Sequence, residues 1–151
     1  MNSVAYLTNE AGLAGCDDPY ATLSRLIGNL SGFVYRRRDD PHWTMEFVSE
    51  GCRDLTGYDP HRFIDPASIA FGDLVARADW SRANERVRLA ILHRRRATVR
   101  YRLRTAYGAW VQVEDRFTPV VDADGRVLAI EGVIDRARGN PLPCDPPDRE
   151  P

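Results

Sequence analysis

The side chains capable of chemistry in this sequence are scattered along the chain. The three cysteines, Cys16, Cys52 and Cys144, are odd in number and far apart. With no Cys-x-x-Cys pair and no histidines at zinc-finger spacing, neither a disulfide scaffold nor a structural zinc site is expected. Asp39 and Asp40 fall in one turn-like segment and Asp122 and Asp124 in another. Aspartates in turns accept hydrogen bonds from the local backbone, and on separate hairpins without an adjacent nucleophile they make no acid/base pair. The sequence has no glycine-rich phosphate loop, nucleophile elbow or His-Glu-x-x-His pattern, so catalysis is not expected.

The basic residues are the other candidates. Arg36 to Arg38, Arg94 to Arg96, and Arg100, Arg102 and Arg104 would suit a nucleic-acid patch if the chain were basic overall. The formal net charge is -1, with 28% charged residues. The arginines therefore read as the solvated faces of a hairpin, a helix end and a strand. No nucleic-acid partner is expected. His93 falls near the end of a helical stretch, where positive charge is favoured. His42 and His61 fall in turn-like segments.

What must position these residues is one compact domain, since 151 residues with 43% hydrophobic content build one core and not two. The N-terminal residues lack a basic stretch followed by an apolar one, and nowhere do about 18 uncharged apolar residues run together. A soluble, cytoplasmic protein with no membrane partner is expected. Residues 1–17 show no period and residues 138–151 are proline-rich, so both read as tails.

Asp17 or Asp18 followed by Pro19 reads as a helix start. Tyr20, Leu23, Leu26, Ile27 and Leu30 then recur at three- and four-residue spacing, predicting an amphipathic helix within 18–31. Gly32 to Arg36 and Trp43 to Ser49 predict a β-hairpin around the polar turn that separates them. The Gly-, Pro- and Asp-rich stretch that follows has room only for helical turns of a few residues. From about Asp73 to Arg94, Trp80, Ala83, Val87, Ala90 and Ile91 share a face, predicting the longest helix.

The period then changes to two. Val99, Tyr101 and Leu103 alternate with arginines; Val111, Val113 and Phe117 alternate with Gln112, Glu114 and Arg116. Asp122 to Gly125 supply a hairpin turn before a third apolar run, Val127 to Ile134. The element order predicts an α+β fold, a five-stranded antiparallel sheet with helices packed on one face and a flanking N-terminal helix.

Several segments in this order resemble PAS domains. The stretch SEGCRDLTGYDPHRF is similar to the segment that follows the second PAS strand, with Leu55, Thr56, Gly57 and Tyr58 at its centre. FGDLVARADW resembles the next segment, and YRLRTAYGAWVQVEDRFTPVVDADGRVLAIEGVIDRA the three closing strands. The resemblance spans roughly residues 22 to 137, placing a PAS core at 32–137. It departs from the family pattern at Tyr107-Gly108, where Asp-Gly is usual, and at Asp135-Arg136-Ala137, where Asp-Ile-Thr is usual.

The resemblance implies a non-catalytic sensory or regulatory module of bacterial signalling type that senses a small ligand or mediates dimerisation. A ligand-free protein-protein interaction module is the alternative. The implied ligand pocket draws on Val34, Phe47, Leu55, Leu74, Val87, Ile91, Val113 and Phe117. Tyr20, Leu23, Ile27 and Leu30 form the stripe for a homodimer or partner signalling protein. No cofactor and no metal are expected. A haem or flavin sensor is the further alternative, with His93 in the region that carries the haem ligand. Cys52 sits too early for the reactive cysteine of flavin-binding relatives.

Overall fold

The computed structural model describes residues 18–64 and 69–139. The expected tails lie outside the described residues apart from Arg138 and Gly139, as does Asp17. Helix α1 spans Pro19–Gly28, in a unit separate from the body that begins at Ser31. Its start follows the sequence logic: Pro19 occupies the first turn, and the Asp18 carboxylate accepts from the Tyr20 amide. No residue of α1 is buried, and Tyr20, Leu26 and Leu30 are exposed.

In the body, β1 (Phe33–Arg37) and β2 (Met45–Val48) form the hairpin, followed by the short helices α2 (Cys52–Thr56) and α3 (His61–Ile64) and a 3₁₀ turn at Phe71–Leu74. The long helix α4 runs Arg77–His93. The closing strands are β3 (Ala97–Arg104), β4 (Trp110–Val121) and β5 (Val127–Arg136). All pair antiparallel in the order β2-β1-β5-β4-β3, so β5 returns to the middle of the sheet. The β4–β5 turn forms as expected: Asp122 Oδ1 accepts from the amides of Asp124 and Arg126, and Gly125 takes φ 83.

One sheet face carries the core. Phe33, Tyr35 and Arg37 on β1, Val113, Asp115 and Phe117 on β4, and Val99, Tyr101 and Leu103 on β3 are all buried there. Ala83, Val87 and Ala90 of α4 belong to the same apolar cluster. The matched Leu-Thr-Gly-Tyr segment has a physical role at each position. Leu55 is buried, and the Thr56 hydroxyl donates to the Cys52 carbonyl. Gly57 closes α2 with φ 77, the left-handed conformation that glycine adopts without penalty. Tyr58 meets the Phe63 ring edge to face at 5.7 Å.

Two readings of the arginines are corrected. Arg102, expected on a solvated face, is buried, with its guanidinium donating to both oxygens of Asp79 at 2.9 and 3.0 Å. The same carboxylate accepts from the Arg102 amide, and the Arg102 carbonyl accepts from Ala76. Residues 76–79 thereby occupy hydrogen-bonding groups of the exposed edge of β3, which would otherwise be a template for unwanted pairing. Arg37, expected on the hairpin surface, is 1% exposed and lies in the core. Trp43 also moves from the expected strand to the β1–β2 turn, where its φ of 52 is rare for a bulky residue.

Candidate functional site

Two buried tyrosines and a buried arginine gather around Asp115. Strand periodicity turns Asp115 inward beside Val113 and Phe117, and the residue is 2% exposed. Tyr35 on β1 donates to Oδ1 at 2.8 Å, and Tyr101 on β3 donates to Oδ2 at 2.9 Å. The two phenols thus reach the same carboxylate along one sheet face, from strands on either side of β4. Tyr35 must pass over β5 to do so, and its cross-strand neighbour there is Gly132. A Cβ at Gly132 would lie 2.4 Å from the Arg116 carbonyl oxygen and 3.0 Å from Phe117, so only glycine fits there.

Arg37 supplies the positive charge. Its guanidinium carbon lies 4.3 Å from the centre of the Trp43 ring, a cation–π arrangement. One terminal nitrogen donates to the Arg38 carbonyl at 2.9 Å, while the buried Nε has no partner. Trp43 in turn contacts Tyr101, Trp80 and Phe71, with ring centres 5.6, 5.2 and 6.5 Å away. Its indole N–H donates to Asn84 on α4 at 3.1 Å. A chain of contacts therefore runs from the carboxylate through Tyr101 and Trp43 to the long helix.

Burial sets the electrostatics. Loss of hydration pushes the Asp115 carboxyl up to about 6, against the opposing hydrogen bonds of Tyr35 and Tyr101 and the charge of Arg37. Both phenols are held well above their ordinary value by burial and then by the Asp115 charge. Asp79 shows the reverse balance. Burial would raise it, but the hydrogen bonds and charge of Arg102 overcome that and hold it below the ordinary carboxylate range.

The expected pocket residues divide into two groups. Leu55, Leu74, Val87, Val113 and Phe117 are buried in the core, and Ile91 packs against it. Val34 is only half-buried and Phe47 is 50% exposed. Both point to the other sheet face, because β1 buries Phe33, Tyr35 and Arg37 and Phe47 pairs with the outward Arg36. Those two leave the set.

Sequence reasoning missed Tyr35, Arg37, Tyr101 and Asp115 as a group, although parity carried the signal. Asp115 shares the phase of Val113 and Phe117, and Arg37 that of Phe33 and Tyr35.

The cofactor candidates lie elsewhere. His93 is exposed and lines a surface groove. The Cys52 thiol donates to the Tyr58 carbonyl at 3.3 Å. Burial and then the Glu50 charge push it up to about 12, so it stays protonated and suits no thiolate chemistry. Among the described residues, no group of three or more His, Cys, Asp or Glu could hold a metal ion. No helix among them is long and apolar enough to cross a membrane.

This architecture, a five-stranded antiparallel sheet with its polar centre facing short helices and one long one, is that of a PAS fold. The family model described as the PAS fold matches residues 45–134, and the chain belongs to that family. Among solved structures, it is similar to the PAS domain of a protein from Colwellia psychrerythraea, with a TM-score of 0.65 and 13% identity over 80% of this chain and 98% of that one. It is also similar to a sensory box histidine kinase/response regulator from Burkholderia thailandensis, with a TM-score of 0.60 and 19% identity over 76% and 82%. A light-oxygen-voltage domain studied with a flavin analogue matches with a TM-score of 0.57 and 17% identity over 78% and 85%. No curated protein sequence matches.

Proposed function

We propose that the chain is a non-catalytic sensory module whose core answers to a small polar molecule and passes the change on through contacts with a second copy or a signalling partner. The observation that carries this reading is the group formed by Arg37, Tyr35, Tyr101 and Asp115, buried together among the apolar side chains of the core. An apolar replacement of such a group is often as stable or more so, so stability alone gives no reason for it. The unpartnered Arg37 Nε supports the same reading, since a bound hydrogen-bond acceptor would satisfy a donor that is costly to leave unmade.

The signal would travel as a population shift, which requires that the ligand bind one of two states more tightly. The contacts from Tyr101 through Trp43 to Asn84 give it a route to α4. The left-handed φ of Trp43 marks the β1–β2 turn as the strained element on that route. A second reading, a ligand-free interaction module, is favoured by the rings of Phe33, Trp43 and Phe63, each of which contacts the Phe71 ring between sheet and helices. The exposed Tyr20 and Leu26 of α1, and Leu30 just after it, also fit it. A haem or flavin sensor is the least supported, given the positions of His93 and Cys52.

Native mass spectrometry with an absorption spectrum, followed by thermal shift against a panel of small carboxylates and amides, separates these readings. A retained mass or a stabilising compound, lost in Arg37→Met, supports the ligand sensor. A bare protein that no compound stabilises, with or without Arg37, contradicts it and leaves the interaction module.

A further inference from the structure

The last two turns of α4 carry a surface that the ligand reading does not use. Their buried side presents Val87 and Ala90 to the core, whereas Leu89 is 39% and Leu92 73% exposed, one helical turn apart on the outward side. Beside them runs a groove of about 420 Å³ between α4 and the start of β3, lined by Arg86, Leu89, Ala90, His93, Arg95, Arg96, Ala97 and Thr98. Three arginines line it and no carboxylate does. The charge is local, because the chain as a whole carries -1. Arg94 does not belong to the groove: its guanidinium reaches the β4–β5 turn at Gly125.

We infer that this groove docks an acidic amphipathic helix of a partner protein, whose apolar side chains cover Leu89 and Leu92 while its carboxylates meet Arg86, Arg95 and Arg96. Each part of the surface selects against other occupants. A nucleic-acid backbone would use the arginines but would leave the two leucines uncovered, and a lipid surface would be met by a convex basic face and not by a concavity. A helix lays apolar side chains into such a groove at three- and four-residue spacing and presents charge at its flanks. Uniform basic charge steers the acidic partner and selects against basic ones.

Ala90 links the groove to the rest of the molecule. It forms part of the groove lining and is also a member of the buried core cluster beside Val87. A partner seated there contacts the helix that Asn84 ties to Trp43. Arg86 also holds the groove wall, donating to the Thr98 carbonyl at 3.2 Å, so the charge-reversal test avoids it.

The test uses the whole isotope-labelled chain and two synthetic peptides of glutamate and leucine, one with leucines on a single helical face and one with the same composition scrambled. Anionic phospholipid vesicles and duplex RNA are titrated in parallel. The expected result is saturable binding of the amphipathic peptide, with amide shifts confined to residues 86–98. Binding weakens about tenfold or more in Arg95→Glu/Arg96→Glu and in Leu92→Asp, and weakens with added salt. Both variants change exposed side chains, and unchanged amide spectra elsewhere show that they fold. Equal binding of the scrambled peptide, shifts centred outside the groove, no saturable binding, or binding of vesicles or RNA in place of the peptide overturns the inference.

Discussion

Asp115 and Asp79 are both buried carboxylates beside an arginine, and they are driven in opposite directions. Asp79 sits at the start of α4 and receives both forks of Arg102 and a backbone amide, so its charged form is held by full ionic contacts. Asp115 receives two neutral phenols, with Arg37 acting through space. Ionised donors give stronger hydrogen bonds than neutral ones. The first carboxyl is therefore lowered and the second raised to about 6. One site fastens a sheet edge to a helix; the other holds a carboxyl whose value lies near 6.

Removing the fastening should have the largest effect. Arg102→Ala leaves Asp79 only the longer 3.5 Å contact with Arg82 and removes the guanidinium that ties α4 to the β3 edge, and should cost about 3 kcal/mol in urea unfolding. Tyr101→Phe removes one donor from Asp115 and should cost about 1–2 kcal/mol. It should also move the Asp115 carboxyl further up, which a titration would show.

A smaller, pH-dependent difference follows from the sign of each shift. For Asp115, with a raised folded value, the stabilising contribution is complete below the ordinary carboxylate range and is lost as pH rises through about 6. For Asp79 it is present above the ordinary range and is lost as pH falls through its lowered value. Unfolding free energy should therefore rise by about 1 kcal/mol from about pH 7 to about pH 5 in the wild type, and stay flat over that interval in Asp115→Asn. The smallest effect belongs to the outer sheet face. Arg36→Ala, which removes the exposed pairs with Glu131 and Glu46, should change stability by about 0.5 kcal/mol or less.

The two aspartates also show how far the sequence could be read. The element order and the inward phase of Val99, Tyr101, Val113 and Phe117 follow from period-two patterning, which burial of one sheet face imposes directly. The polar centre was legible in principle by the same rule, since Asp115 and Arg37 share the phase of apolar neighbours. Its partners were not, because which residues meet across β5 depends on strand order, and β5 lies between β1 and β4 through a long-range return. Arg102 was hidden for a different reason. It has the outward phase of its strand, and only the passage of residues 76–79 along the β3 edge brings Asp79 to it. Val34 and Phe47 were misplaced because their apolar character outweighed their phase.

The most direct test of this account is a carbon-13 carboxyl titration of Asp115 by NMR in the intact chain, with Asp115→Asn assigning the resonance. A midpoint near 6, moving upward in Tyr101→Phe, is the predicted result. A midpoint in the ordinary carboxylate range, unmoved by loss of the phenol, would contradict it and leave the cluster as plain packing.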